Sequence, residues 1–175
     1  PLFIAPAQHG VCIPGAFLTM GNPDARNVGS MYRLNAHPDV TIFLRDASAA
    51  TYTDPIRERN AAPLQRIRSF WAEYGVMQSV SRLTPLAGVF ESRAIAIAGR
   101  HGKASTVEIQ RADGTIDYGF YANVRGVPGD VRAPDLELLV LTEGKRAKAH
   151  GIIPVDKAEF ERLSQKIAQT VRLRD

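Results

Sequence analysis

Residues 103–125 read KASTVEIQRADGTIDYGFYANVR. Two alternating runs flank Ala112-Asp113-Gly114-Thr115, and Asp-Gly between such runs is a strong hairpin signal because both residues tolerate positive φ. A two-residue turn that pairs Ala112 with Thr115 sets Ile109 opposite Tyr118 and Val107 opposite Phe120, with Glu108 facing Gly119 and Gln110 facing Asp117. One side of this hairpin is then apolar and the other wet. The expectation is a half-buried antiparallel sheet.

Working outward, residues 11–19, 30–34 and 40–45 read as short strands separated by Gly21-Asn22-Pro23-Asp24 and His37-Pro38-Asp39, with Val40, Ile42 and Leu44 on one face. Thr53-Asp54-Pro55 offers a helix cap followed by proline at the first helical position, and Ile56, Leu64, Ile67, Phe70, Trp71 and Tyr74 follow near helical spacing. Pro63 lacks an amide donor, so it predicts a kink near Ala62 or a fresh helix start, and Gly75 is expected to end the segment. Residues 77–83 and 89–98 read as strands, the second with Ile95 and Ile97 in phase. Leu138-Leu139-Val140-Leu141 within 136–142 predicts a central strand covered on both sides. Phe160, Leu163, Ile167 and Val171 then space one apolar stripe along a helix over 156–173. Strands, helix, strands, helix is an α+β order: a mostly antiparallel β-sheet with two helices packed on one face, in a single domain over 1–175.

A chain of 175 residues with 45% apolar and 23% charged residues can bury a core, which excludes disordered and collagen-like classes. Its 22 basic and 18 acidic side chains give +4, and that excess is local. Residues 1–144 hold 14 of each sign, whereas 145–175 hold 8 bases and 4 acids. Lys145, Arg146 and Lys148 are expected in a loop, and Arg172 and Arg174 close the last helix, where positive charge complements the macrodipole. Aromatics are not interleaved with these bases, so no nucleic-acid partner is expected. Cys12 stands alone, which leaves no intrachain disulfide, and no apolar run approaches the ~20 residues that span a bilayer. The start at Pro1, with no charged leader before an apolar stretch, reads as a chain from which an export signal or upstream domain has been removed.

Motifs for catalysis are weak. Gly99-Arg100-His101-Gly102-Lys103-Ala104 has too few residues between its glycines for a phosphate loop and lacks the hydroxyl after lysine, so it reads as a strand-to-strand turn. His9 and Cys12 have metal-ligand spacing, but His37, His101 and His150 lie in separate loops without a second pair, so no metal site is expected. Gly29-Ser30 precedes an ordinary strand and no nucleophile elbow is present. Glu91, Glu108 and Asp117 on adjacent strands could converge for acid–base work, although alternation with apolar residues favours a solvated face. Neither catalytic residues, nor a metal, nor a cofactor are assigned.

Several segments in order resemble one family. Gly10-Val11-Cys12-Ile13-Pro14-Gly15-Ala16-Phe17, Met31-Tyr32-Arg33-Leu34 with His37-Pro38-Asp39-Val40-Thr41-Ile42-Phe43-Leu44, and Leu86-Ala87-Gly88-Val89-Phe90-Glu91 carry the likeness. So do Ala133-Pro134-Asp135-Leu136-Glu137-Leu138 with Thr142-Glu143-Gly144, and the basic end Arg172-Leu173-Arg174. Together, over roughly residues 10–174, they resemble the C-terminal domain of the immunity proteins that protect bacteria against type VI secretion phospholipase effectors, the lipase-effector cognate immunity protein four family. The chain departs from the family's pattern at Ser92, where a second acidic residue is usual, and at Tyr121-Ala122-Asn123, where a tryptophan is usual. The resemblance implies a non-enzymatic protein, normally two-domained and periplasmic, that binds a cognate phospholipase effector and blocks it by occlusion. The sequence leaves the contact residues unassigned; Tyr52, Arg57, Arg59 and the Asp113 turn are exposed candidates. The alternative is a non-enzymatic adaptor or anionic-surface module that uses the basic C-terminal loop and helix.

Overall fold

The computed structural model describes residues 10–13, 16–19, 27–86 and 92–172. Strands β1 (Gly10–Ile13) and β2 (Ala16–Thr19) pair with each other as a separate hairpin. β3 (Asn27–Arg33) and β4 (Val40–Ala47) precede helices α1 (Pro55–Ala61) and α2 (Pro63–Met77). β5 (Arg82–Pro85), β6 (Arg93–Ile97), β7 (Arg100–Gln110), β8 (Ile116–Val124) and β9 (Asp135–Thr142) follow, and then α3 (Gly144–Ala149) and α4 (Lys157–Thr170). Among the described residues seven strands form one sheet in the order β3-β4-β9-β8-β7-β5, with β6 also on β7, and every pairing is antiparallel. The class is α+β, as the order of elements predicts, and β9 is the central strand expected of residues 136–142.

The hairpin forms at Asp-Gly, but one residue out of the expected register. Arg111 N donates to Thr115 O at 2.9 Å and Gly114 N to Arg111 O at 3.0 Å, with Gly114 at φ +81. The loop is therefore the three residues Ala112, Asp113 and Gly114, a type I turn followed by a left-handed glycine. Ile109 faces Asp117 and Val107 faces Gly119, not Tyr118 and Phe120. A shift of one residue exchanges the faces of a whole strand. Tyr121 consequently joins Val107 and Ile109 on one side of the sheet, while Phe120, Ala122 and Val124 turn to the other.

Both faces are thus apolar, and each needs its own cover. Ile67, Trp71 and Tyr74 of α2 pack on Val107, Ile109 and Tyr121. On the opposite side Phe160 and Ala168 of α4 pack with Phe120, Ala122, Leu138 and Val140, alongside Val40, Ile42 and Ile97. The two long helices do not share one face, and the sheet has no wet side beneath them.

Local chemistry accounts for the helix ends. Asp54 Oδ1 accepts from Ile56 N at 2.8 Å and Pro55 opens α1, while Pro63 divides the segment into two helices. Gly75 does not terminate α2, which runs to Met77. Val80 N donates to Gly75 O and Ser79 N to Val76 O, a Schellman closure in which Ser79 holds φ +50. Residues 77–81 are therefore helix end and turn, with strand pairing confined to β5. The stretch read as strand over 89–98 is β6 from Arg93 onward; residues 87–91 lie outside those described. Ala98 and Gly99, both at positive φ, make the strand-to-strand turn expected at that glycine-rich segment.

Trp71 keys α2 to the sheet. Its indole N–H donates to Ser105 Oγ at 2.7 Å, and a Cβ placed on Gly119 would stand 2.5 Å from the Trp71 ring. Gly119→Ala should therefore destabilise the domain by about 1–3 kcal/mol, read as a lower urea midpoint at unchanged slope. Ser79→Gly should act in the opposite sense, raising stability by about 1 kcal/mol through relief of the left-handed serine. An unchanged midpoint in either variant would contradict these packing and turn assignments.

Candidate partner-binding surface

Two recesses flank α2 on the sheet face it covers, one at each end of the helix. The first, about 450 Å³, lies where α1 and the start of α2 meet β4, β8 and β9; Arg45, Arg57, Arg66, Arg125, Asp135 and Glu137 are among its lining residues. Arg45 Nη1 and Arg66 Nε both donate to Glu137 Oε1, at 3.2 and 3.0 Å. Arg125 is held more fully, by Asp135 Oδ2 at 3.0 Å and the Ala50 carbonyl at 2.8 Å, with its guanidinium 5.5 Å from the Tyr52 ring centroid. Arg125 thereby fixes the loop that presents Tyr52. At the inner wall Asn123 is 4% exposed, and among the described residues its Oδ1 has no hydrogen-bond donor. Burial, and then the Glu137 charge, push the neighbouring Tyr121 phenol well above its usual range.

The second recess, about 770 Å³, lies beyond the C-terminal end of α2, between the Asp113 turn and α3. Arg111 Nε donates to Asp117 Oδ2 at 2.7 Å and its Nη2 to Tyr74 Oη at 3.1 Å. Gly144 N donates to Asp117 Oδ1 at 2.6 Å, which ties α3 to β8. Its charges balance: Arg111, Lys145 and Arg146 against Asp113, Asp117 and Glu143. The four arginines of the first recess are likewise matched, by Asp135 and Glu137 in its lining, by Glu58 3.5 Å from Arg125 and by Asp54 3.9 Å from Arg57.

The exposed candidates divide between these places. Tyr52 and Arg57 line the arginine recess, Asp113 lines the balanced one, and Arg59 sits exposed on α1 outside both. The carboxylates read as a possible acid–base group are not brought together. Asp117 shares the α2 face with Ile109, whereas Glu108 pairs with Tyr118 on the α4 face, and Glu91 lies outside the described residues. Of the histidines, His37 stands 3.9 Å from Glu159, His101 is exposed on β7 and His150 caps α3; His9 lies outside the described residues, as does the Cys12 side chain. No group of three or more His, Cys, Asp or Glu is gathered among the described residues.

The basic segment is also more engaged than a solvated loop. Lys145, Arg146 and Lys148 form part of helix α3, not a loop, because Glu143 O accepts from both Arg146 N and Ala147 N and so starts a helical turn. Lys145 Nζ lies 3.1 Å from Asp113 Oδ2, and Arg172 donates to the Gln169 and Val171 carbonyls of its own helix end. Arg174 falls outside the described residues.

The family model described as the Tle cognate immunity protein 4 C-terminal domain matches residues 4–175. The chain belongs to that family. No curated protein matches it. Among solved structures it is similar to the immunity protein TplEi of the type VI secretion system from Pseudomonas aeruginosa, complexed with "L" peptide, at 17% identity and a TM-score of 0.62, covering 97% of this chain and 55% of that one. It is also similar to a chain in the crystal structure of the Tle4-Tli4 complex, at 17% identity and a TM-score of 0.61, covering 97% of this chain and 52% of that one. At this identity the likeness establishes a shared fold. The chain spans about half the length of the solved relatives it matches.

Within this Tle cognate immunity protein 4 domain, sequence reasoning missed Arg45, Arg66 and Asn123. Arg45 and Arg66 reach Glu137 across 92 and 71 residues, so no local spacing marks them. The Asp113 carboxyl, by contrast, sits in the turn itself. The Thr115 amide and then Lys145 hold its pKa down to about 2. A depressed carboxyl contributes stability above its unfolded pKa of about 4 and loses it as pH falls through the folded value. Wild type should therefore lose stability more steeply than Asp113→Asn between pH 4 and pH 2, as measured by urea midpoints. Parallel profiles would show that the turn carboxyl contributes nothing.

Proposed function

We propose that this domain binds a type VI secretion phospholipase effector and blocks its activity against the producing cell's own membranes. The observation that carries the reading is membership of the Tle cognate immunity protein 4 C-terminal domain family over residues 4–175. In this reading the domain is non-enzymatic, acts in the periplasm, and is the C-terminal half of a longer two-domain protein. Its span of about half the solved relatives supports the last point. Separation of Glu108 and Asp117 onto opposite sheet faces favours occlusion over acid–base turnover. Inhibition by occlusion needs a rigid surface with a few well-supported anchors, and the α2 face supplies recesses whose walls are tied by ion pairs to the sheet.

The test is direct. The full-length protein, co-expressed with the lipase effectors of its own strain, should co-purify with one of them and suppress its hydrolysis of phosphatidylethanolamine vesicles stoichiometrically. Failure to retain any secreted lipase would overturn the assignment.

A further inference from the structure

We infer that the outer edge of β3 is where the upstream half of the full-length protein docks, adding an extended segment beside Asn27–Arg33 and covering Met31 and Tyr32. The inference rests on the two-domain reading above and specifies which surface of this half the other half occupies.

β3 closes one side of the seven-stranded sheet. It pairs with β4, and among the described residues no strand pairs with its other side, since β1 and β2 bond to each other. Alternate backbone N–H and C=O groups of β3 therefore point out of the sheet, a template for a further strand. The opposite edge is blunted. There β5 and β6, four and five residues long, share β7 as their partner, and β5 ends on Pro85. β3 by contrast runs seven residues in unbroken register with β4, without proline or bulge, and its only charge is Arg33 at the end.

The side chains at this edge lack cover in the same place. Met31 pairs with Phe43 on the α2 face and Tyr32 with Ile42 on the α4 face, and the two are 66% and 45% exposed. α2 packs chiefly on β7 and β8, and α4 on β6, β8 and β9, so this rim lies beyond both covering helices. A Cβ at Gly29 would stand 2.8 Å from the Phe43 ring, and its absence lets that ring lie across β3 toward the rim. Consecutive apolar residues on opposite faces cannot both be covered by an element laid on one face, whereas a strand added at the edge flanks both. The layout of the chain favours the upstream half as the occupant. The family is a C-terminal domain, this chain spans about half of its solved relatives, and β3 is the first strand of the large sheet in chain order. The preceding half is thus tethered closer along the chain to this edge than to β5 or β6, which raises its local concentration there above that of a free partner.

Photo-crosslinking in the full-length protein, without lipase, tests the assignment. Tyr32→p-benzoylphenylalanine should crosslink within the chain to residues upstream of Pro1, mapped by mass spectrometry. The control Val76→p-benzoylphenylalanine, at a site 83% exposed near the end of α2, should not. Hydrogen exchange over residues 27–33 of the same protein should show protection even of the amides turned away from β4. Met31→Lys, a change at an exposed side chain, should remove that protection and leave the amides bonded to β4 protected. Crosslinks from position 32 to residues 10–19, to a second copy or to nothing would overturn the inference, as would equal crosslinking from both positions. Unprotected outward amides would overturn it too, and so would protection that arises only when lipase is added, which would give the edge to the effector. Lipase binding does not enter the measurement, so loss of the proposed inhibitory function leaves the result standing. A full-length chain without an upstream half would overturn the two-domain reading and this inference together.

Discussion

The register of β7 against β8, which Gly114 accommodates at positive φ in a three-residue loop, is the constraint from which the remaining architecture follows. With a three-residue loop, Asp117, Gly119 and Tyr121 share a face with Val107 and Ile109, and Phe120 and Ala122 are sent through the sheet. Neither face can then remain in water without exposing large apolar side chains. One helix covers each side, and the two recesses open where the covering helix α2 ends.

The second constraint is steric. Trp71 lies against a backbone that carries no Cβ at Gly119 and anchors its indole N–H on Ser105. Docked in this way, α2 directs Arg66 to Glu137 at one end and Tyr74 to Arg111 at the other. Packing of an apolar stripe thus decides where charged groups meet. The aromatic cluster around Trp71, with Phe70 stacked on Tyr121 at 3.9 Å between ring centroids, makes this a stiff support for the recess walls.

Much of the fold was legible in residue order. Asp54-Pro55, the break at Pro63 and the stripe from Phe160 to Ile167 act through neighbours a few residues away, so local rules reach them. The one-residue error in the hairpin arose because Asp-Gly is compatible with two-residue and three-residue loops alike, and only pairing across the whole sheet selects between them. Gly75 failed as a helix end for a related reason: Val80 packs into the α2 cluster and draws the chain into a closure beyond it. At the site, Tyr52 and Arg57 could be singled out as exposed side chains in a capped segment, whereas Arg45, Arg66 and Asn123 could not, since strand and helix positions far apart in the chain carry no shared spacing.

By itself the sequence determined the α+β class, the starts of α1 and α4, the central strand and, through an ordered series of short segments, the family. Those properties reside in local periodicity, in capping chemistry and in residue identity along the chain. Only the tertiary structure decided which face each strand presents, that the two long helices lie on opposite sides, and that four arginines converge beside a buried asparagine. The physical reason is common to all three. Each depends on strand register, and register is chosen by the summed burial of a complete sheet, which no window of neighbouring residues contains.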